Sequence, residues 1–363
     1  MRSTSTNANL LPLAVVSDVP FANVGDSVES APKLDDRLYG LEQVLAFGYL
    51  PLSGKKSKGV VGSKLRDVVE HRLGYPVEMV LRSWRNIRKS RLAVANLEHN
   101  ARLPLILKKA GIGPFKHAKI VVLNCWLAER LPRYSKAERE HWVNLLNRSS
   151  AITVWSENQI DILAGLGVNR HLLKPINFGV NRWLHPGQNQ PDRDIDVLAV
   201  GMDVGRDYET LFRAAYGESW RVQLACKPVN LQALQIPDNV SVLGVITREN
   251  YREKLQRAKI VVVPTHEFAY PTGQSVALEA AMAGAAVVVT STEPMRQYFT
   301  HNETALMPEP HSAEALQSAI RQLLSDAELR NRIAAAGQAH CLENFTDRQM
   351  WQQISRILDE VRG

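Results

Sequence analysis

A strand–helix–strand pattern with uninterrupted apolar strands constrains this chain more than any other feature. Residues 261–291 read VVVPTHEFAYPTGQSVALEAAMAGAAVVVTS. The β-branched run Ile260–Val263 stops at Pro264 and is followed by a loop of about ten residues. A helix is predicted over Ser275–Ala283, closed by Gly284, and Ala286–Thr290 forms the next run. Short continuous apolar runs suit strands buried on both faces. Strands joined through helices pair in parallel, so the pattern demands a covered parallel sheet.

The alternation continues on either side. Strands are predicted at Asp196–Val200, Arg221–Ala225 and Val240–Leu243, and helices at Tyr208–Ala215, Asn250–Ala258 and Ser312–Leu324. A last helix, Asp347–Val361, sets Met350, Ile354, Leu358 and Val361 on one stripe. The first half is less regular. It offers strands at Leu13–Val16, Ile120–Leu123 and Ala151–Trp155, and helices at Leu65–Leu73, Leu103–Ala110, Ser135–Leu146 and Gln159–Leu166. Leu92–Leu97 is an apolar run ending at Glu98-His99-Asn100, which puts His99 on a strand end. Pro51–Ser63, rich in Gly, Ser and Lys, reads as a basic loop. The polar segment Gly187–Arg193 is the best linker, giving domains at 1–186 and 187–345 and a closing segment at 346–363.

With 363 residues, 45% of them hydrophobic and 22% charged, the chain can bury two cores. That composition excludes a disordered, collagen-like or coiled-coil protein. Cys125, Cys226 and Cys341 lie far apart, which fits a reducing compartment and argues against a structural zinc site. No apolar run reaches the ~18–20 residues of a membrane span. The N-terminus reads as no signal peptide, so a cytoplasmic location is expected. Charge is uneven: residues 1–185 hold 27 Lys+Arg against 15 Asp+Glu (net +12), and the remainder 17 against 22 (net −5). A basic first half expects an anionic partner.

Ligands of open parallel sheets sit beyond the carboxyl ends of strands, where loops meet helix N-termini. Free N–H groups there, with the helix dipole, suit a phosphate. Gly273 allows close approach of the backbone, Thr272 or Ser275 offers a hydroxyl, and Glu279 sits among Ala, Leu, Val and Met. A carboxylate in such company needs hydrogen-bond donors, and ribose hydroxyls are suitable ones.

LEAAMAGAAVVVT (278–290) resembles the donor-nucleotide signature of glycosyltransferase family 4, the group 1 glycosyltransferases. FGVNRWLHP (178–186) resembles the turn closing that family's first domain, and VGMDVGRDYETL (200–211) the Gly-rich turn opening its second. The three occur in family order over about residues 90–345. The resemblance implies a GT-B fold: two Rossmann-like domains facing each other across a cleft, with the last helix crossing back to the first. It also implies a retaining, metal-independent transfer from a nucleotide-diphosphate sugar, a UDP- or GDP-sugar above all, to a hydroxyl acceptor. No separate cofactor is expected. Arg206 and Lys227 would contact the donor diphosphate, Gly273, Gln274 and Ser275 would cradle it beside Thr272, and Glu279 would bind ribose. His99 matches the histidine facing acceptor and donor sugar.

Some residues depart from the pattern. Pro271 stands eight residues before Glu279, where the family has Glu, making the nearby Glu267 the candidate for that role. Asp207 replaces a Lys, and Gly25 is the single glycine of the first loop. These departures motivate a second reading, a degenerate transferase-like nucleotide-binding or scaffold protein. A sugar-nucleotide epimerase shares the plan. Nucleic-acid binding is not expected, because no helix-turn-helix, zinc-finger or RNP pattern occurs. A lipid-linked or anionic acceptor, and peripheral contact of the basic half with an anionic membrane face through Arg82–Arg91 or Lys55–Lys64, complete the expectations. Asp194-Ile195-Asp196 resembles a metal-binding DxD, but it starts a strand and reads as an edge feature.

Overall fold

The computed structural model describes residues 10–18, 40–53, 70–72, 75–185 and 191–363. The loop Lys55–Lys64, Gly25 and most of the expected Leu65–Leu73 helix lie outside the described residues. Internal contacts divide the chain into two units, one of Met1–Asn177 with Met350–Gly363 and one of Phe178–Gln349.

The first unit is built on β1 (Leu11–Val16), β2 (Tyr49–Ser53), β3 (Leu92–Asn96), β4 (Lys119–Leu123), β5 (Ala151–Val154) and β6 (Leu173–Pro175). Their order is β2-β1-β3-β4-β5-β6, with every neighbouring pair parallel. Residues 51–53, expected in the basic loop, instead belong to β2, where Pro51 pairs with Leu13. β2 is the edge strand, the one place where the missing proline N–H costs no ladder bond. The helix expected at Leu103 starts earlier and runs Glu98–Lys109 with Pro104 inside it. His99 therefore lies in the first turn of a helix, not on a strand end.

The second unit contains β7 (Ile195–Gly201), β8 (Val222–Cys226), β9 (Val240–Val242), β10 (Ala258–Val263) and β11 (Ala286–Val289). Their order is β11-β10-β7-β8-β9, again parallel throughout. Helix Tyr208–Ala215 turns Leu211, Phe212 and Ala215 onto the sheet. Helix Ala313–Ser325 adds Leu316, Ile320 and Leu323. Each Leu, Ile or Phe among them, fully buried, contributes roughly 1.5–3 kcal/mol. The sequence predicts no helix over Ala327–Asn344, yet the segment is an 18-residue helix. Its alanines give no amphipathic stripe. Its contact face is the i, i+4, i+8 row Ile333, Gly337 and Cys341. A Cβ on Gly337 would stand 2.6 Å from the Thr304 carbonyl oxygen, so only glycine lets this helix dock.

Arg193 precedes β7 and reaches across two helix ends. Nη1 donates to the Ala258 carbonyl at 2.6 Å and Nη2 to that of Ala283 at 2.8 Å. One guanidinium thus satisfies the carbonyl-rich ends of helices Arg248–Arg257 and Gln274–Met282.

Residues 178–186, a domain-closing turn in the sequence, are held by the second unit as far as they are described. The Val180 N–H donates to the Phe345 carbonyl at 2.8 Å, and the Phe178 N–H to the Tyr298 hydroxyl at 3.2 Å. The last helix, Asp347–Arg362, groups with the first unit from Met350 onward. There Tyr49 donates its hydroxyl to Asp359 at 2.5 Å, and Trp351, Ile354 and Leu358 are buried. Among the described residues, no helix is long and apolar enough to cross a membrane. None of Cys125, Cys226 and Cys341 forms a disulfide.

Candidate functional site

The carboxyl end of β10 leads into the segment the sequence singles out. Pro264 ends the strand, and residues 205–207 pair with 264–266. Asp207 N–H donates to the Pro264 carbonyl at 3.1 Å, and His266 N–H to that of Gly205 at 3.0 Å. This short antiparallel contact sets Arg206 opposite Thr265. Arg206 is 7% exposed. Its side chain lies across Gly201, where any Cβ would collide with it. Its Nε donates to the Val200 carbonyl at 3.3 Å, and Nη1 pairs with Asp203 at 3.2 Å. The guanidinium is thus fixed at the ends of β7 and β10.

Helix Gln274–Met282 starts on Gly273, whose φ is 82°. That left-handed conformation suits glycine. A Cβ there would stand 2.6 Å from Val263 Cγ1 and 3.3 Å from Arg206 Nη1. The helix start, the strand end and the arginine converge on one residue without a side chain. Pro271, which departs from the family pattern, shapes the entry: its carbonyl accepts from the Gln274 N–H at 3.2 Å. The buried atoms Thr265 Oγ1 and Gln274 Oε1 have no hydrogen-bond partner. Such orphans beside a helix start and a buried cation mark a place for a polar ligand. Thr272 is buried, and Gly273 and Ser275 are half-buried.

Glu279 lies deeper in the same helix and is buried. Burial raises its carboxyl above the usual range, while Arg248, foremost, and the Tyr251 hydroxyl pull it down. Tyr251 donates to Oε2 at 2.6 Å, and Arg248 approaches Oε1 at 3.4 Å. Burial and the carboxylate together raise the Tyr251 phenol well above its ordinary value. Sequence reasoning missed both partners. Their helix starts at Arg248, with Thr247 accepting from the Asn250 N–H as its cap, two residues before the predicted start. A Thr three residues before Asn250 was the signal available for that cap.

Lys227 is exposed just past β8, and Glu267 is exposed in the loop after β10. Asp207, standing where the family has Lys, has a structural task. It caps helix Tyr208–Ala215 by accepting from Thr210 N–H at 3.0 Å and Thr210 Oγ1 at 2.7 Å. The DxD-like pair is engaged in ion pairs, Asp194 with Arg257 and Asp196 with Lys259.

His99 belongs to the first unit and is described there by itself. Its Nε2 lies 3.2 Å from Asp18 Oδ2, and Asn100 Nδ2 donates to Asp18 Oδ1 at 2.9 Å. The His99 hydrogen bond, more than any other cause, holds the Asp18 carboxyl well below the usual range. Leu97, with φ 67°, bends the chain sharply between β3 and the helix. Next to His99 opens a pocket of about 600 Å³ whose lining includes Glu98, Arg102, Arg130, Tyr134 and Trp142. Arg102 stacks over Tyr75 and Trp142 at 5.2 and 5.5 Å. The Glu98 carboxylate accepts from the Cys125 and Trp126 N–H groups at 3.1 and 3.2 Å.

Two parallel sheets, each in its own α/β unit, define two Rossmann-like domains of the GT-B class. Residues 227–340 match the family described as Glycosyl transferases group 1. Anabaena Alr3699/HepE in complex with UDP superimposes with a TM-score of 0.67 at 16% identity, covering 97% of this chain and 100% of that one. The sucrose-phosphate synthase of Thermosynechococcus elongatus gives 0.62 at 17%, covering 79% and 80%. A glycosyltransferase from Rickettsia africae gives 0.59 at 12%, covering 88% and 87%. No curated protein matches this chain.

Proposed function

We propose that the protein is a retaining glycosyltransferase that moves a hexose from a nucleoside-diphosphate sugar to a hydroxyl acceptor. The observation that carries this reading is the convergence of buried Arg206, the Gly273 helix start and the orphaned Thr265 and Gln274 oxygens at the end of β10. Glycosyl transfer passes through an oxocarbenium-like transition state, and the departing diphosphate gathers negative charge. Arg206, Lys227 and the helix-start N–H groups of Gly273 and Ser275 stabilise that charge where it develops, so no metal is required for the step. Glu279 accepts from ribose hydroxyls through the lone pairs that Tyr251 and Arg248 leave open. The UDP complex of the Anabaena relative favours a uridine donor.

The first unit recognises the acceptor. His99, oriented by Asp18, faces the hydroxyl, and the pocket beside it offers aromatic faces with the cations Arg102 and Arg130. An anionic or lipid-linked acceptor suits that lining. Arg85, Arg88 and Lys89 are exposed on helix Trp84–Ser90, which suits contact with an anionic membrane face on the cytoplasmic side.

Calorimetric titration with UDP, GDP, ADP and dTDP tests the donor site. One nucleotide should bind, and Glu279→Ala should weaken it by about 2 kcal/mol, the scale of a charged hydrogen bond. Absence of binding by all four would end the transferase reading.

A further inference from the structure

Asp207 serves a second cluster besides its helix cap. His311 Nδ1 lies 3.0 Å from Asp207 Oδ2, and His266 Nδ1 lies 3.9 Å from the same oxygen. The imidazole rings stand 5.5 Å apart, tilted by 32°. Taken as one ligand atom per residue, the three groups lie within 4.8 Å of one another. They come from three separate segments: the turn after β7, the loop after β10, and the loop before helix Ala313–Ser325.

We propose that Asp207, His266 and His311 bind a divalent late first-row metal ion of the Zn²⁺ type. Two imidazoles and one carboxylate are a common ligand set for such an ion, with a water completing a tetrahedron. Bonds of about 2.0–2.2 Å put neighbouring donor atoms of a tetrahedron about 3.3–3.6 Å apart. The observed 3.0 and 3.9 Å bracket that spacing. Both rings are free to close on an ion, since the His266 and His311 side chains are 44% and 56% exposed. The carboxylate, by contrast, is buried and held by Thr210 on both oxygens, the kind of outer support that fixes a metal ligand.

His311 stands just before the Ser312 cap of helix Ala313–Ser325, with φ 58°. Without metal, a proton on His311 Nδ1 can donate to Asp207. On binding, the neutral ring places that proton on Nε2, and Nδ1 coordinates through its lone pair. Residues alternate faces along the short 205–207 and 264–266 pairing. Asp207 and His266 therefore turn away from Arg206 and Thr265, and the ion ties loops together without entering the proposed transfer step.

The test uses the full chain with Zn²⁺ and Co²⁺ alone and needs no sugar donor, so it stands apart from the transferase reading. Calorimetry should give one Zn²⁺ per chain, Co²⁺ should show the visible absorption of four-coordination, and Zn²⁺ should raise Tm. His266→Gln with His311→Gln should abolish the absorption and weaken Zn²⁺ binding by more than about tenfold. Its Tm in chelator should match that of the parent, because both side chains are exposed. Lack of binding by the parent overturns the proposal. So does binding weakened less than tenfold in the double variant, which would assign the ion to others among the ten histidines.

Discussion

The two units treat the loop-to-helix junction at the end of a central strand in opposite ways. After β10 the chain opens a helix on Gly273, and the residues around it leave buried oxygens without partners beside a buried arginine. After β3 the chain opens a helix through Leu97, and the first residue of that helix, Glu98, sends its carboxylate to the N–H groups of Cys125 and Trp126. Those amides precede the short helix Leu127–Arg130. In the first unit the protein supplies its own anion to a helix start. In the second it leaves that role to a ligand. The first unit therefore meets helix-start amides from within, although Asn100 Oδ1 and Asn124 Nδ2 stay without partners there, and the second leaves its helix start to a ligand.

Gly273→Ala should break the comparison most severely. The left-handed backbone costs about 1–2 kcal/mol for a residue with a Cβ. The clash with Val263 adds about 1–3 kcal/mol of overpacking. Denaturant titration should show the summed loss of about 2–5 kcal/mol, together with loss of nucleotide binding. Next, Glu98→Ala should leave two amides unpaired and cost about 3 kcal/mol, read in the same way, while nucleotide affinity stays unchanged. An affinity that fell in this variant would show that the two junctions are coupled. Tyr251→Phe removes the 2.6 Å bond to Glu279 but keeps the ring. It should cost about 1.5 kcal/mol of stability and shift the Glu279 carboxyl further up, visible in the pH dependence of nucleotide binding.

The smallest effect concerns Asp18. Its folded carboxyl lies below its unfolded value, so its contribution is present above the unfolded pKa of about 4 and is lost as pH falls from there. The side chain is 42% exposed, so solvent screening keeps the effect under about 1 kcal/mol. Asp18→Asn should flatten the acid limb of the stability curve by that amount.

The receptive junction was the more legible of the two. Val261–Ser291 carries continuous β-branched strands, a glycine, and a carboxylate among small apolar residues, and each has one physical use. Tyr208–Ala215 is predicted to the residue, because its apolar stripe is strong. The first unit resisted. Pro51 argued for a loop, yet it sits on a sheet edge, and the helix expected from Leu103 starts five residues earlier with Pro104 inside it. His99 was singled out, but Asp18 and Glu98 were not, since only folding brings them to their partners. Arg248 and Tyr251 were invisible as partners of Glu279 for the same reason. They lie 31 and 28 residues away in sequence. Asp207 read as a loss of charge complementarity, and in the fold it is a cap with imidazoles against it.

Arg193 has a consequence for breathing motions. The ends of helices Arg248–Arg257 and Gln274–Met282 share one guanidinium, so fraying of either end loosens the cation that holds the other. Amides near Arg257 and Met282 should therefore exchange with deuterium at a common rate, as a single opening unit. The carboxylate of Glu279 and the phenol of Tyr251 ride on these two helices, and the distance between them is set partly by an arginine that touches neither.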